Sequence, residues 1–233
     1  MKYKNCRGFT LIEMAMVFVI MALLLGGGLT ILRTQLEQQR IRDTQRLLDE
    51  ARDALIGFAV FNGRLPRPAI SAVNGVENTA NCPSDLVCTG LIPWVTLGTT
   101  RADAWGKILR YSVTPAFSSD SPLPALTTLG TKNIETRNNA GALVPLANSV
   151  PVVIFSHGEG RWGTTEAGVA IADGSDTNVD EDINQTGGAL GATFRQRTIN
   201  ELPTATGGEF DDMVIWIPTG VLFNRMVQAG RFQ

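Results

Sequence analysis

The chain opens on eight mostly polar residues and then turns apolar from Phe9 to Leu32, 24 positions broken by a single charge, Glu13. As a helix this run reaches ~36 Å at 1.5 Å per residue, long enough to cross a ~30 Å bilayer core with some tilt. The pattern then changes. Leu36, Ile41, Leu48, Ala51, Leu55 and Phe58 recur mostly at three-, four- and seven-residue spacing, with Gln38, Arg40, Arg42, Asp43, Arg46, Asp49 and Arg52 between them. That is an amphipathic helix with one apolar stripe turned to a core. Asn62-Gly63 and Pro66 end it, so the pattern predicts one helix from Phe9 to about Phe61. Residues 69–101, rich in Gly, Asn, Thr and Pro, read as a loop. Strand-like runs follow at Ile108–Thr114, Val150–Ser156, Val169–Ala172 and Met213–Ile217, with Pro- and Gly-containing connections, and 115–149 reads as a long variable loop. Thr219–Gly230 carries Leu222, Met226 and Ala229 on one face and reads as a short terminal helix. No long helical pattern lies between the strands, which argues against a doubly wound sheet. The predicted fold is α+β: a long N-terminal helix packed on an antiparallel β-sheet. Its divisions are a leader (1–8), an apolar membrane helix (9–32), its amphipathic continuation (33–62) and a globular head (63–233).

Charge gives the first segment a direction. Lys2, Lys4 and Arg7 precede the apolar run, which by the positive-inside bias keeps the amino terminus cytoplasmic and sends the rest across the membrane. A removable secretory signal is the rival reading. Such signals place an Ala-x-Ala-like site after the apolar run, and none follows here, although the run ends near Gly26-Gly27-Gly28 and leaves ordinary cleavage there open. Glu13 is the anomaly. A lone charge in hydrocarbon costs ~2.5–3.5 kcal/mol or more, so an intramembrane carboxylate is a functional-site hypothesis that needs a partner. The whole chain is 233 residues, 44% hydrophobic and 18% charged, which fits one tethered folded domain rather than a disordered tail. Loss of Lys2, Lys4 and Arg7 with a leader would take the formal charge from −2 to −5. An acidic exterior argues against nucleic acid as a partner. Cys6 lies in the leader; Cys82 and Cys88 flank Pro83-Ser84-Asp85-Leu86-Val87. Two cysteines closing a small loop in an exported domain read as a disulfide; zinc is the alternative but needs further ligands, and the one histidine, His157, is distant in sequence.

Gly8-Phe9-Thr10-Leu11-Ile12-Glu13 resembles the class III signal of type IV prepilins and type II secretion pseudopilins. The resemblance covers the leader and first helix. It implies cleavage between Gly8 and Phe9 by a prepilin peptidase, N-methylation of Phe9, and an assembly role for Glu13, which would compensate the amine of Phe9 on a neighbouring subunit. It also implies a single-pass inner-membrane protein with a periplasmic head, an inner-membrane assembly platform, and other pilin or pseudopilin subunits as partners in a filament. In that setting Gly26-Gly27-Gly28, which costs ~3 kcal/mol of helix propensity against alanine, reads either as a close-packing site in the membrane or as a segment that unwinds when subunits pack. Three further segments are similar to pseudopilins: Asp103-Ala104-Trp105-Gly106 followed by Tyr111, Val152-Val153-Ile154-Phe155-Ser156-His157-Gly158, and Phe210-Asp211-Asp212-Met213-Val214-Ile215-Trp216. They read as turns and sheet edges of a pilin-like head.

No motif points to catalysis. Gly158-Glu159-Gly160-Arg161-Trp162-Gly163 fits G-x-G-x-x-G after a strand, but no amphipathic helix follows as a dinucleotide site requires. Asp211 and Asp212 are adjacent, and adjacent strand residues face opposite ways. His157 lacks a nucleophile elbow or a third triad member. One loop holds candidate metal ligands: Asp173, Asp176, Asn178, Asp180 and Asp182, with Glu181 among them. Calcium takes six to eight oxygens from flexible loops, but Glu181 stands where an EF-hand needs glycine. Major pseudopilins carry a calcium site in a late loop, so the resemblance makes calcium the one cofactor to consider; a solvated acidic loop is the other reading. The function expected is therefore structural, a large minor pilin or a pseudopilin of a pilus or secretion system. The alternatives are a filament-displayed adhesin or ligand-binding head and, less favoured, a membrane-tethered periplasmic enzyme.

Overall fold

The computed structural model describes residues 9–160 and 162–231, with the side chains of 24–32 left aside; Gly8 and the rest of the expected leader lie outside the described residues. The chain divides into two units, Met1–Arg42 and Asp43–Gln233. Helix α1 runs from Leu11 to Asn62, 52 residues, and passes Gly26–Gly28 without a break in its backbone.

In the first unit every described apolar side chain from Phe9 to Leu23 is exposed. A helix that is apolar on all sides belongs inside a large core or a membrane. Among the described residues no helix is long and apolar enough to cross a membrane; the span expected over 9–32 runs through the side chains left aside.

In the second unit the helix is amphipathic in earnest. Thr44, Leu48, Ala51, Leu55 and Ala59 are fully buried, a three-and-four spacing that lays one stripe on the core. Phe58, placed on that stripe by the sequence pattern, is only half-buried. The helix stops where Gly63 takes a left-handed φ of 76° and its N–H returns to the Ala59 carbonyl at 2.8 Å, a glycine C-terminal stop.

Apart from a short 3-10 turn at Pro115–Phe117, the remaining elements are β1 (Thr89–Leu91), α2 (Trp94–Leu97), β2 (Arg110–Val113), β3 (Lys132–Arg137), β4 (Leu143–Val150), β5 (Val152–Ser156), β6 (Gly163–Thr164), β7 (Ala170–Ile171), α3 (Val179–Thr186), β8 (Thr193–Arg195), β9 (Met213–Ile217) and α4 (Thr219–Gln228). A four-stranded antiparallel sheet has the order β1-β2-β5-β9. β5 is its centre and is buried at every position, so both its faces are covered. The fold is α+β, a helix followed by an antiparallel sheet, consistent with a pilin-like head.

The loop expected over 115–149 is instead structured. β3 and β4 pair antiparallel within it and form a second sheet, ordered β4-β3-β8. Its β3–β8 pair is parallel, Asn133 opposite Thr193 and Ile134 opposite Phe194, a pairing that needs a long crossover. The sheets meet in one core of Ile134, Val150, Val153, Phe155, Phe194 and Val214. The 69–101 segment likewise holds β1 and α2, and the acidic loop holds α3.

Candidate functional site

The amino-terminal site begins with a local device. The Thr10 hydroxyl accepts the N–H of Glu13 at 3.3 Å, and Glu13 Oε2 accepts both the N–H and the hydroxyl of Thr10 at 2.8 Å. This reciprocal pairing, a threonine answered by a glutamate three residues on, is a capping box. Glu13 therefore has a partner inside its own first turn, Thr10, where the sequence reading looked to the amine of Phe9. Phe9 is 84% exposed just ahead of it.

Cys82 and Cys88 are joined as a disulfide. The loop they close is anchored. Asp85 Oδ1 accepts from the Thr131 hydroxyl at 2.5 Å and meets Lys132 Nζ at 2.8 Å, and Lys132 Nζ also donates to the Gly191 carbonyl at 2.8 Å. Lys132 is fully buried, and burial pushes its ammonium down to about 8 against the pull of Asp85. The disulfide loop thus grips the second sheet through a lysine to which the sequence drew no attention.

The five expected metal ligands are divided. Asp180 is buried and takes Arg137 bidentately, at 2.7 and 2.8 Å, with Arg197 at 3.2 Å; Gly207, at φ 89°, leaves room for this contact that a side chain would fill. Asp173 and Asp182 share the Gln185 amide, at 2.7 and 2.9 Å, and burial with Asp173 close by raises Asp182 to about 6. Asp176 lies on the surface. Asn178 turns inward and donates to Glu181 Oε2 at 2.8 Å.

That inward turn leads to a polar cluster the sequence did not assemble. Asp211 and Asp212 precede β9, and with Glu181 from α3 they bring carboxylate oxygens within 4.8 Å of one another. Asp212 is held on both sides, by His157 Nδ1 at 2.9 Å and by the Asn184 amide at 2.7 Å. Glu181 Oε1 accepts the Asp211 N–H, and Asp211 Oδ2 accepts the Gly160 N–H, each at 2.5 Å. Behind them, Asp103 takes the N–H groups of Trp105 and Lys107 at 2.9 Å and the Ser156 hydroxyl at 2.6 Å. Lys107 Nζ donates to the carbonyls of His157 and Gly160.

Crowding and burial shape the charges. Burial raises Asp212 to about 7; burial, then Glu181 and Asp212, raise Asp211 to about 8. Glu181 is raised by burial and by Asp212. Burial holds His157 well below its usual range, with Arg110 and Lys107 adding to the effect. Within this cluster Asn178 Oδ1, Asp211 Oδ1 and His157 Nε2 are buried without a hydrogen-bond partner among the described residues. A cavity of about 320 Å³ lies over the cluster, lined by Asn178, Glu181, Asn200, Glu209, Phe210 and Asp211 among others. The arrangement gathers negative charge and oxygen donors. Ser156, the hydroxyl next to His157, is turned to Asp103, so the two do not form a nucleophile–base pair.

Comparison with known proteins bears on the amino terminus. No curated protein and no solved structure matches the chain. Residues 3–29 match the family model of the prokaryotic N-terminal methylation motif, over the very residues that carry Gly8, Phe9 and Glu13. The chain carries the N-terminal methylation signal of type IV prepilins and pseudopilins.

Proposed function

We propose that the chain is a structural subunit, a minor pilin or pseudopilin, of a type IV pilus or type II secretion pseudopilus. The observation that supports this is the methylation motif at residues 3–29, set on a helix start whose described apolar side chains are all exposed. Such a surface needs lipid or other subunits to cover it. On this reading a prepilin peptidase removes residues 1–8 and methylates Phe9. The apolar helix holds the subunit in the inner membrane, with the head in the periplasm, until the assembly platform passes it to the filament. At 225 residues after cleavage the subunit is large, which suits low copy. Intact-mass analysis of membrane-extracted protein tests the reading. The expected mature chain begins at Phe9 and carries one methyl group; a start near Leu29, or retention of Met1, would sink it. Gly8→Ala should be processed and Gly8→Leu should not.

A second reading, a ligand-binding head displayed on the filament, is favoured by the cavity over Glu181 and Asp211. It adds to the structural role rather than replacing it.

A further inference from the structure

Asn-Gly occurs twice in the chain, at Asn62-Gly63 and Asn74-Gly75, and the fold treats the two differently. A glycine has no side chain to shield its backbone nitrogen, so that nitrogen can attack the amide carbon of an asparagine before it, one reason asparagine is thermolabile. At the first site the helix end holds both reactants. The Gly63 N–H is bound to the Ala59 carbonyl at 2.8 Å, and the Asn62 amide nitrogen donates to the Phe58 carbonyl at 3.0 Å.

Asn74 stands instead at the tip of a short turn. Ala69 pairs with Glu77, and the Ile70 N–H reaches the Val76 carbonyl at 2.9 Å, which closes the segment into a loop. Ser71 Oγ accepts the Asn74 N–H at 3.1 Å, and Asn74 Oδ1 accepts the Val76 N–H at 3.1 Å. The second bond makes an Asx turn. It folds the side chain back on its own backbone in a ring that contains the Gly75 nitrogen, and it draws electron density from the amide carbon. Asn74 is exposed, so water reaches it. The Gly75 N–H donates to no group among the described residues.

We infer that Asn74-Gly75 is a site of spontaneous covalent change, deamidation through a cyclic imide. The Gly75 nitrogen gives up its proton and bonds to Asn74 Cγ. The Cγ–Nδ2 bond breaks, and Nδ2 takes up the proton and leaves as ammonia. Water then adds to either carbonyl of the ring and opens it. One opening leaves aspartate at position 74; the other leaves isoaspartate, in which the main chain runs through the side-chain methylene. Water is the only reagent required. The location gives the change a consequence. Gly75 lies against Trp94, so closely that a Cβ added to it would stand 2.1 Å from the ring, and its carbonyl accepts the Val95 N–H at 3.0 Å. A methylene inserted in the main chain one residue earlier shifts both contacts and frees α2 from the turn. None of this depends on assembly into a filament, because any folded head with this turn would carry it.

The experiment incubates the full chain in detergent at mildly alkaline pH and follows both asparagines by peptide mass spectrometry, with enzymatic methylation of isoaspartate as the second probe. Asn74 should convert more than about tenfold faster than Asn62, which must first break two hydrogen bonds, and isoaspartate should be among the products. In chain unfolded by guanidinium the two should convert at similar rates. Asn74→Gln should stay unchanged over the same period, since its longer side chain closes the ring poorly. Conversion in wild type should speed deuterium exchange at the Val95 N–H, whereas Asn74→Asp, with the new charge on an unaltered main chain, should not. Survival of Asn74 through the incubation, equal rates in the folded chain, or a difference that persists in guanidinium would overturn the assignment; a Val95 N–H still protected after conversion would overturn its consequence.

Discussion

Glu13 has two possible jobs, and its neighbour Thr10 tells them apart. The capping box makes the carboxylate a local helix start; on the function proposed above it would also be an assembly charge. Replacing a cap costs about 0.5–2 kcal/mol of local helix stability, and Thr10→Ala removes the cap while leaving the charge. We expect Glu13→Ala to lower co-purification with sheared filaments well below Thr10→Ala, with processing intact in both. Equal behaviour of the two would reduce Glu13 to a cap. A second residue-scale expectation concerns pH. In chelator, Asp211 and Asp212 hold protons in the folded state up to about 8 and 7, whereas in the unfolded chain they lose them near 4. The folded state therefore loses stability relative to the unfolded one as pH rises from about 4 to 8. His157, kept neutral by burial, works in the opposite sense, but only below about 6.5. Lys107, Arg110, Asp103 and Glu181 surround the same groups. The melting temperature should fall between pH 6.5 and 8, and less steeply in Asp211→Asn; a flat profile in wild type would count against the charges assigned here. These residues also show where reading a sequence stops. Gly8, Phe9 and Glu13 are legible because they act in one contiguous run. His157 and Asp212 stand 55 positions apart, and nothing local ties them.

Elements whose signal is a wide apolar stripe were legible, and elements held by few apolar contacts were not. The stripe of Leu48, Ala51 and Leu55 and the run Met213–Ile217 were plain in the pattern. β3 was missed because only Lys132 and Ile134 are fully buried in it, and its β8 partner lies some sixty residues on. β4, with five of eight positions exposed and Pro145 within it, reads as loop by any apolar count. α3 left a signal that was passed over: Asn178 at its cap position, three acids in its first turn and Gly187 after its end, all favoured placements. At this scale Leu55→Ala should destabilise the head by about 2–5 kcal/mol, measured by chemical denaturation. A loss under about 1 kcal/mol would mean that the helix is seated more loosely than its burial indicates.

Across the head, the two sheets are joined by one apolar core and by the disulfide loop, whose Asp85 reaches Lys132 and Thr131. Closing so short a loop contributes about 2 kcal/mol by chain entropy. Replacing Cys82 and Cys88 together by Ser should lower stability by that order and loosen the second sheet more than the first. Unreduced protein should resist thiol alkylation at both positions. The central strand has a different consequence. β5 is hydrogen-bonded on both edges and covered on both faces, so its backbone amides reach water only when the whole head opens. Deuterium uptake at Val152–Phe155 should be the slowest in the head and should track its global unfolding free energy. If the chain assembles as proposed, these few amides would then serve as a thermometer of the fold inside an intact fibre.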